Sequence, residues 1–494
     1  MKMKYISEKK EILNYYKEIK ELIIRNDKDF PVSIIERVNL ENYLNKIFQY
    51  GQAVIAINDN KVIGCSLFYS NNIQTKIGYI TLLCVEGTYR KNGIASYLLE
   101  NTYSIMKRNG MTYCELSTNQ NNNKSINLYT KHGFKILENK KGELHMRKEL
   151  SELNILLTSV GRRGYLIEYF KKVLNGVGKV YASNSEYTSA FQYADEHIIS
   201  PLIYDDNYVD FLINYCKKNN ITMIISLFDI DLYVLASNKE LFENEGIKVI
   251  VSNKDFIKIC NDKWLTYEYL NNIGIATPKT YLSVKEAMNA INNGNINYPL
   301  IVKPRWGMGS LEIFTADNEM ELIIFYEKIK RNILKSYLKY EANQDFEKSV
   351  IIQEKIIGQE YGCDVINDLN GYFKNTIIRK KIAMRAGETD AAEIIENKDI
   401  LKLTQKLSKY TQHIANLDID ILEKDGQFYL LEMNARFGGG YPFSHAAGVN
   451  LPLAIVKWTE NKNVNPEILE AKVGAIFQKD IRIMPLFMGE ENHE

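Results

Sequence analysis

The sequence predicts a multidomain α/β and α+β protein, on three observations. Residues 154–251 alternate apolar strand-like runs with amphipathic helical stretches, the pattern of a parallel sheet covered on both faces. Residues 1–150 set adjacent strands before a strand–loop–helix. Residues 417–440 read as two strands joined by the tight turn Asp425-Gly426, because Gly tolerates the positive φ such turns need. A chain of 494 residues suits two or three domains, each able to bury a core. Hydrophobic content of 45% and charged content of 25% fit a soluble globular protein, and a net charge of +1 points to neither nucleic acid nor membrane. Cys65, Cys84, Cys114, Cys216, Cys260 and Cys363 lack metal-ligand spacing and read as buried thiols in a reducing cytosol. The charged opening MKMKYISEKKEIL predicts no signal peptide, and no uncharged apolar run is long enough to span a bilayer, so a cytoplasmic protein is expected.

In chain order, residues 7–27 are expected to be helical, and 52–57, 62–69 and 77–85 to be strands. The loop Tyr89-Arg90-Lys91-Asn92-Gly93-Ile94-Ala95 then leads into an amphipathic helix, 96–109. A strand, a loop with Gly and basic residues, and a helix N-terminus make an anion site, since free N–H groups and the helix dipole point at the anion. Another strand, 112–117, is followed by Asn122-x-x-Ser125-x-x-Leu128-Tyr129-x-x-x-Gly133-Phe134. Residues 146–153 read as a short polar joint without Gly or Pro.

These two motifs resemble the GNAT acetyltransferase superfamily over about residues 50–148. Arg90, Gly93 and Ala95 match the loop that holds the acetyl-CoA pyrophosphate, and the second motif carries Ser125 where that family has Ala. The resemblance implies that Cys84 and Val85 offer backbone groups to the acetyl-pantetheine arm, that Asn122 holds the cofactor, and that Tyr129 protonates the departing thiolate. No base for the amine stands out: Glu86 and Glu115 are the nearest candidates or solvated strand-end charges, and His132 and His145 read as structural.

In the middle stretch, residues 154–160 form a buried strand followed by Gly161-Arg162-Arg163-Gly164 and a helix, 165–174. This turn suits a phosphate or carboxylate but lacks a dinucleotide fingerprint. Asn261-Asp262-Lys263 opens a helix reaching 272. The strand 298–302 delivers Lys303 to the loop Pro304-Arg305-Trp306-Gly307-Met308-Gly309-Ser310, where an ammonium and flexible backbone suit a triphosphate. The strand 350–356 ends in polar residues that can meet a base and a ribose. The dense run Arg385-Ala386-Gly387-Glu388-Thr389-Asp390 precedes a helix, 398–416, and reads as a substrate grip or a solvated turn. In the last hairpin, alternation puts Asp420 on one face with Glu432, directly across, and Asn434. Two carboxylates and an amide oxygen suit Mg²⁺. Arg436 can fork a phosphate, and Gly438 to Gly440 let backbone approach a ligand.

The order of these parts resembles the ATP-grasp superfamily over roughly residues 154–490, most like single-unit relatives of the carbamoyl-phosphate synthase large chain. There is no second ATP-grasp copy and no glutaminase domain, so carbamoyl-phosphate synthesis itself is not expected. The resemblance implies a GNAT domain at 1–150, a pre-ATP-grasp αβ domain at 151–260 and an ATP-grasp domain at 261–494. Lys263 and Lys303 would contact ATP phosphates, with Gly307, Gly309 and Ser310 in the lid. Gln353, Glu354 and Ile356 would lie at the adenine hinge, and Glu360 near the ribose. Asp420, Glu432 and Asn434 would hold Mg²⁺, with Asp418 an alternative to Asp420. Arg436 would stabilise the transferred phosphoryl group, and Arg385, Glu388 and Asp390 would grip an amino acid.

The expected activity is carboxylate–amine ligation through an acyl phosphate, coupled to N-acetylation, with ATP, Mg²⁺ and acetyl-CoA as cofactors. The expected partners are a small-molecule carboxylate and amine, and a homodimer fits both families. The alternatives are an ATP-grasp phosphotransferase and a nucleotide- and CoA-sensing protein whose GNAT domain is non-catalytic.

Overall fold

The computed structural model describes residues 4–59, 61–150, 153–307, 311–385, 387–480, 483, 484 and 486. The chain divides into two compact units, Met1–Leu153 with Gly176–Gly178, and Asn154–Asn175 with Lys179–Glu494.

The first unit is built on seven strands: β1 (Lys4–Ile6), β2 (Gln52–Asn58), β3 (Lys61–Tyr69), β4 (Ile77–Val85), β5 (Tyr113–Asn119), β6 (Lys135–Lys140) and β7 (Glu143–Glu149). They lie in the order β1-β2-β3-β4-β5-β7-β6. Every pairing is antiparallel except β4 with β5. Both faces are covered. The Ile94–Arg108 helix packs its Leu98 and Met106 onto one, where Gly64 and Gly78 leave room for them. The Tyr16–Arg25 and Leu40–Tyr50 helices pack Ile19, Leu22, Leu44 and Ile47 onto the other.

Two irregularities matter for function. The β3–β4 register steps from Leu67↔Leu82 to Phe68↔Ile80, so Thr81 is an extra, bulged residue. The β4–β5 pairing begins at Ile77↔Tyr113 and ends at Ile80↔Leu116, although both strands run on, which opens a fork.

Several expectations need correction here. The helical stretch at 7–27 is broken by the 3-10 turn Leu13–Tyr15. The Leu40–Tyr50 helix, capped by Asn39, and the β6–β7 hairpin went unread. Residues 146–149 are no joint but the end of β7, where Arg147 and Lys148 are the register partners of Glu115 and Cys114 on β5.

The second unit opens with β8 (Asn154–Thr158), β9 (Val180–Asn184), β10 (Glu196–Ile199), β11 (Ile221–Ser226) and β12 (Lys248–Val249). They form a fully parallel sheet in the order β10-β9-β8-β11-β12. A small antiparallel sheet follows, β13 (Thr280–Tyr281), β14 (Leu300–Pro304), β15 (Phe314–Ala316) and β16 (Val350–Glu354), in the order β13-β16-β14-β15. The largest sheet holds β17 (Gln359–Asn367), β18 (Phe373–Arg385), β19 (Glu388–Ile395), β20 (Asn416–Lys424), β21 (Gln427–Asn434) and β22 (Ile476–Gln478), in the order β21-β20-β17-β18-β19-β22.

One apolar core runs from Leu156, Val249 and Phe256 under the parallel sheet to Val365, Ile419 and Met433 under the large one. The small sheet has its own core around Val302, Leu322 and Ile352. Of the charged run at 385–390, Arg385 ends β18 and Glu388 to Asp390 open β19, paired as a hairpin rather than lying in a loop before a helix, and Ala386 lies outside the described residues. The following helix, Lys398–Thr411, stops short of 416 because Gln412 turns left-handed at φ +44°. Among the described residues no helix is long and apolar enough to cross a membrane.

Candidate functional site

Each unit carries a candidate site. In the first, Gly93 holds φ +77° at the N-terminus of the Ile94–Arg108 helix, and nothing lies within 4 Å of where its side chain would be. The first N–H groups of this 15-residue helix, including that of Ala95, therefore follow directly on the Arg90 loop. The Arg90 side chain is occupied elsewhere. Its Nε donates to the Val85 carbonyl at 2.8 Å, and its Nη2 reaches Asn26 at 3.0 Å and Asp29 at 2.6 Å. The Arg90 guanidinium thus ties the loop to the end of β4.

Cys84 and Val85 lie on β4 beyond the last β4–β5 pair, at the fork. Asn122 caps the Asn123–Lys131 helix, its Oδ1 accepting from the Ser125 N–H at 3.3 Å. Tyr129 is buried on that helix against Phe134, and burial pushes its phenol above the ordinary range. A phenol that keeps its proton is what a general acid needs. Glu86 is tied to Arg25 at 2.9 Å, and His132 to Ser96 at 2.9 Å.

In the second unit, Asp420 and Glu432 are register partners across the β20–β21 hairpin, and Asp418 pairs with Asn434. All four share a face, as alternation requires. Lys381 on β18 bridges Asp420 at 2.7 Å and Glu360 at 2.6 Å. Burial works against the charge on Glu432, yet Lys263, Lys303, Lys381 and Arg436 surround it and hold its carboxyl below the usual range. Burial pushes Asp418 up to about 7, against the pull of Arg379 at 3.2 Å. Arg379, fully buried, is held by Asp364 and Ser444 as well. Among the described residues no three His, Cys, Asp or Glu side chains group as a metal site; the donor set here is two carboxylates and an amide. Hard oxygens on one face still fit Mg²⁺.

Lys263 begins a helix capped by Asp262, and its Nζ donates to the Gly307 carbonyl at 2.6 Å. Lys303 lies within β14, donating to Gln353 Oε1 at 2.8 Å, and Gln353 is fixed in turn by Thr280 at 2.9 Å. Gln353 therefore orients Lys303 from a buried position. Burial, then the neighbouring Lys263, lowers Lys303 to about 8. Glu354 ends β16 half-buried, and Ile356 is buried just beyond it. Lys263, Trp306, Gly307, Glu432, Asn434 and Asp229 line one cleft between the small and large sheets. Gly309 and Ser310 lie outside the described residues.

Of the glycines after Arg436, Gly438 and Gly440 serve packing. A Cβ on Gly438 would fall 2.1 Å from Asp418 Cγ, and one on Gly440 would fall 2.8 Å from the Arg379 guanidinium. At the β18–β19 tip, Arg385 pairs with Asp390 at 2.9 Å and Glu388 with Lys479 at 3.2 Å.

Asp229 escaped the sequence reading. It opens the Asp229–Ser237 helix just after β11, and its Oδ2 holds Arg436 at 2.9 Å. Its Oδ1 is buried with no hydrogen-bond partner among the described residues. The signal available was position: the C-terminal ends of parallel strands are where ligands sit on open α/β sheets. Arg163, from the turn after β8, donates to the Leu227 and Phe437 carbonyls at 2.7 and 2.9 Å and so joins the parallel sheet to this site.

Residues 18–134 match the acetyltransferase (GNAT) family, 155–250 the PylC-like N-terminal domain, and 346–479 the family described as ATP-grasp in the biosynthetic pathway with Ter operon. The fold and the family matches are thus those of an enzyme of mixed α/β build. More particularly, the chain joins a GNAT domain to a PylC-like pre-ATP-grasp domain and an ATP-grasp domain.

Among its relatives, the coenzyme gamma-F420-2:alpha-L-glutamate ligase of Methanococcus maripaludis is 24% identical over 206 residues, 40% of this chain and 65% of that protein. The carbamoyl phosphate synthase large chain of Clostridium beijerinckii is 21% identical over 298 residues, 58% of this chain and 26% of that one. The chain thus spans less than two thirds of the length of these relatives. Biotin carboxylase from Campylobacter jejuni superposes with a TM-score of 0.52 at 16% identity, over 65% of this chain and 74% of that one. N5-carboxyaminoimidazole synthetase from Staphylococcus aureus gives 0.50 at 17%, over 66% and 81%. At such identities the likeness is one of fold.

Proposed function

We propose that the chain is a bifunctional enzyme, an ATP-dependent carboxylate–amine ligase fused to an acetyl-CoA-dependent N-acetyltransferase. The observation that carries the ligase half is the acidic face of Asp420, Glu432 and Asn434, with the charges of Lys263, Lys303, Lys381 and Arg436 converging on Glu432. A carboxylate is a poor electrophile at neutral pH, and transfer of the γ-phosphoryl group makes it an acyl phosphate. An amine then attacks, and phosphate leaves. Lys263 and Lys303 neutralise the phosphates, and Arg436, kept charged by Asp229, meets the charge that grows on the moving phosphoryl group. Mg²⁺ on Asp420, Glu432 and Asn434 would supply Lewis-acid charge neutralisation. Gln353 and Glu354 at the end of β16, Ile356 just beyond it and Glu360 on β17 would border the adenosine. Arg385, Glu388 and Asp390 offer both signs of charge to an amino-acid substrate. The Methanococcus relative is an L-glutamate ligase, which favours an amino acid as one of the two partners.

In the acetyltransferase half, the Gly93 helix terminus would take the pyrophosphate, the fork at Cys84 and Val85 the pantetheine arm, and Tyr129 would protonate the thiolate. The test is an ATP-hydrolysis screen of amino acids, singly and in pairs, with and without acetyl-CoA, with products weighed by mass spectrometry. ADP release that needs a carboxylate and an amine together supports the ligase. ADP release indifferent to both rules it out.

A further inference from the structure

A chain of hydrogen bonds on the first unit's sheet has no part in the cofactor site described above. Gly78 faces Met106 of the Ile94–Arg108 helix, and Cys114 and Leu116 share that helix's core, so Tyr79, Glu115 and Ser117 face the other way. His145 and Arg147 on β7 are the register partners of Ser117 and Glu115 and lie on the same face. The Tyr79 hydroxyl donates to Ser117 Oγ at 3.0 Å. Ser117 Oγ lies 3.2 Å from His145 Nδ1, and His145 Nε2 lies 2.9 Å from Glu115 Oε2. Arg147 Nε donates to the other oxygen of Glu115 at 2.7 Å.

The direction of this chain follows from donor chemistry. An ionised carboxylate only accepts, so Nε2 carries the imidazole proton and Nδ1 is left to accept from Ser117. Ser117 in turn accepts from Tyr79. The chain therefore leads protons toward Nδ1. Its open end sits where it would be needed. Tyr79 and Ser117 flank Ile80↔Leu116, the last β4–β5 pair, at the mouth of the fork. Glu115, which by sequence was a candidate base itself, is committed to His145 and Arg147 and is 8% exposed.

We propose that Tyr79, Ser117, His145 and Glu115 form the relay that removes the proton from the acceptor amine. This rests on the acetyltransferase reading above. The substrate ammonium gives a proton into the Tyr79–Ser117 end as the Ser117 proton passes to Nδ1, and the imidazolium later releases it to solvent. The free amine attacks the thioester carbonyl; a C–N bond forms and the C–S bond breaks. The thiolate takes the Tyr129 proton, and the second proton leaving the nitrogen restores Tyr129. One proton is released per turnover, which balances the step.

The test uses the full chain with acetyl-CoA and two probe nucleophiles, methylamine and hydroxylamine. Methylamine is an ammonium near neutral pH and needs deprotonation, whereas hydroxylamine is already uncharged. In His145→Gln and in Ser117→Ala, the ratio of methylamine to hydroxylamine rates is expected to fall about a hundred-fold, the scale of general-base catalysis. Acetyl-CoA binding by calorimetry reports whether each variant is folded. A merely structural tie between β5 and β7 would lower both rates together, and an unchanged ratio overturns the relay. A parent that binds acetyl-CoA but transfers to neither probe overturns the relay alone. A parent that does not bind acetyl-CoA overturns the acetyltransferase reading and the relay with it.

Discussion

Asp229 and Arg436 meet at 2.9 Å although 207 residues separate them in the chain. The contact joins the helix after β11 to the turn after β21, and it puts a carboxylate from the end of the parallel sheet beside the arginine proposed to meet the phosphoryl group. Both side chains are nearly inaccessible, at 6% and 8% exposure, so neither charge has water to fall back on. Removing one partner of a buried pair leaves the other uncompensated. Asp229→Ala should cost about 3 kcal/mol in the unfolding of the second unit. Denaturant melts followed by far-ultraviolet dichroism would measure it. A change below about 0.5 kcal/mol, the scale of ordinary surface substitutions, would mean that Asp418, 3.7 Å from Arg436, satisfies it alone.

Glu432 is the acidic group that the lysines converge on. Glu432→Ala should lower substrate-dependent ADP formation about a hundred-fold or more, the effect of deleting one preorganised charge-stabilising group. A coupled ADP assay reads this directly. Turnover equal to the parent would remove Glu432 from the proposed metal set.

Lys303 gives a pH signature. Its value is about 8 in the fold against 10.5 ordinarily, because burial and Lys263 disfavour its charge. Between those values the unfolded chain binds more protons than the folded one. Lys303 therefore makes stability rise as pH goes from about 8 toward 10.5 and contributes no slope well below 8. ATP binding has the opposite trend, since phosphates want the ammonium form. The KM for ATP should climb as pH passes about 8, and Lys303→Arg, charged throughout, should flatten that climb. A KM profile identical in both proteins would detach Lys303 from the phosphates.

Gly93 at φ +77° should not tolerate a branched side chain. Gly93→Val would strain the turn that exposes the helix N–H groups, and acetyl-CoA binding measured by calorimetry should weaken at least ten-fold. Tight binding retained by the variant would move the pyrophosphate elsewhere.

Arg385 is half exposed, and its pair with Asp390 bears little load. Arg385→Ala should shift unfolding by less than about 1 kcal/mol. It should nevertheless raise the KM for one ligase substrate while leaving the KM for ATP near the parent's. Equal KM values for every substrate would return this hairpin tip to a structural role.

The sequence by itself determined the local parts. Alternation fixed that Asp420, Glu432 and Asn434 share a face, because a strand's side-chain period allows nothing else once Asp425-Gly426 sets the turn. Hydrophobic runs fixed the parallel sheet, and Gly93 fixed an open helix terminus. These readings succeed because each depends on residues within one or two turns of chain. What only the tertiary structure decided is which charges meet. Lys381 reaching Asp420, Asp229 reaching Arg436, and Gln353 aligning Lys303 all join segments far apart in sequence. Arg90 shows the same limit, since its motif position is legible but its side chain turns back to Val85, Asn26 and Asp29. His145 does too: only the β5–β7 register sets it beside Ser117 and Glu115, within reach of Tyr79 on β4. Pairings of this kind are settled by how sheets stack and which strands become neighbours, and no local pattern encodes that.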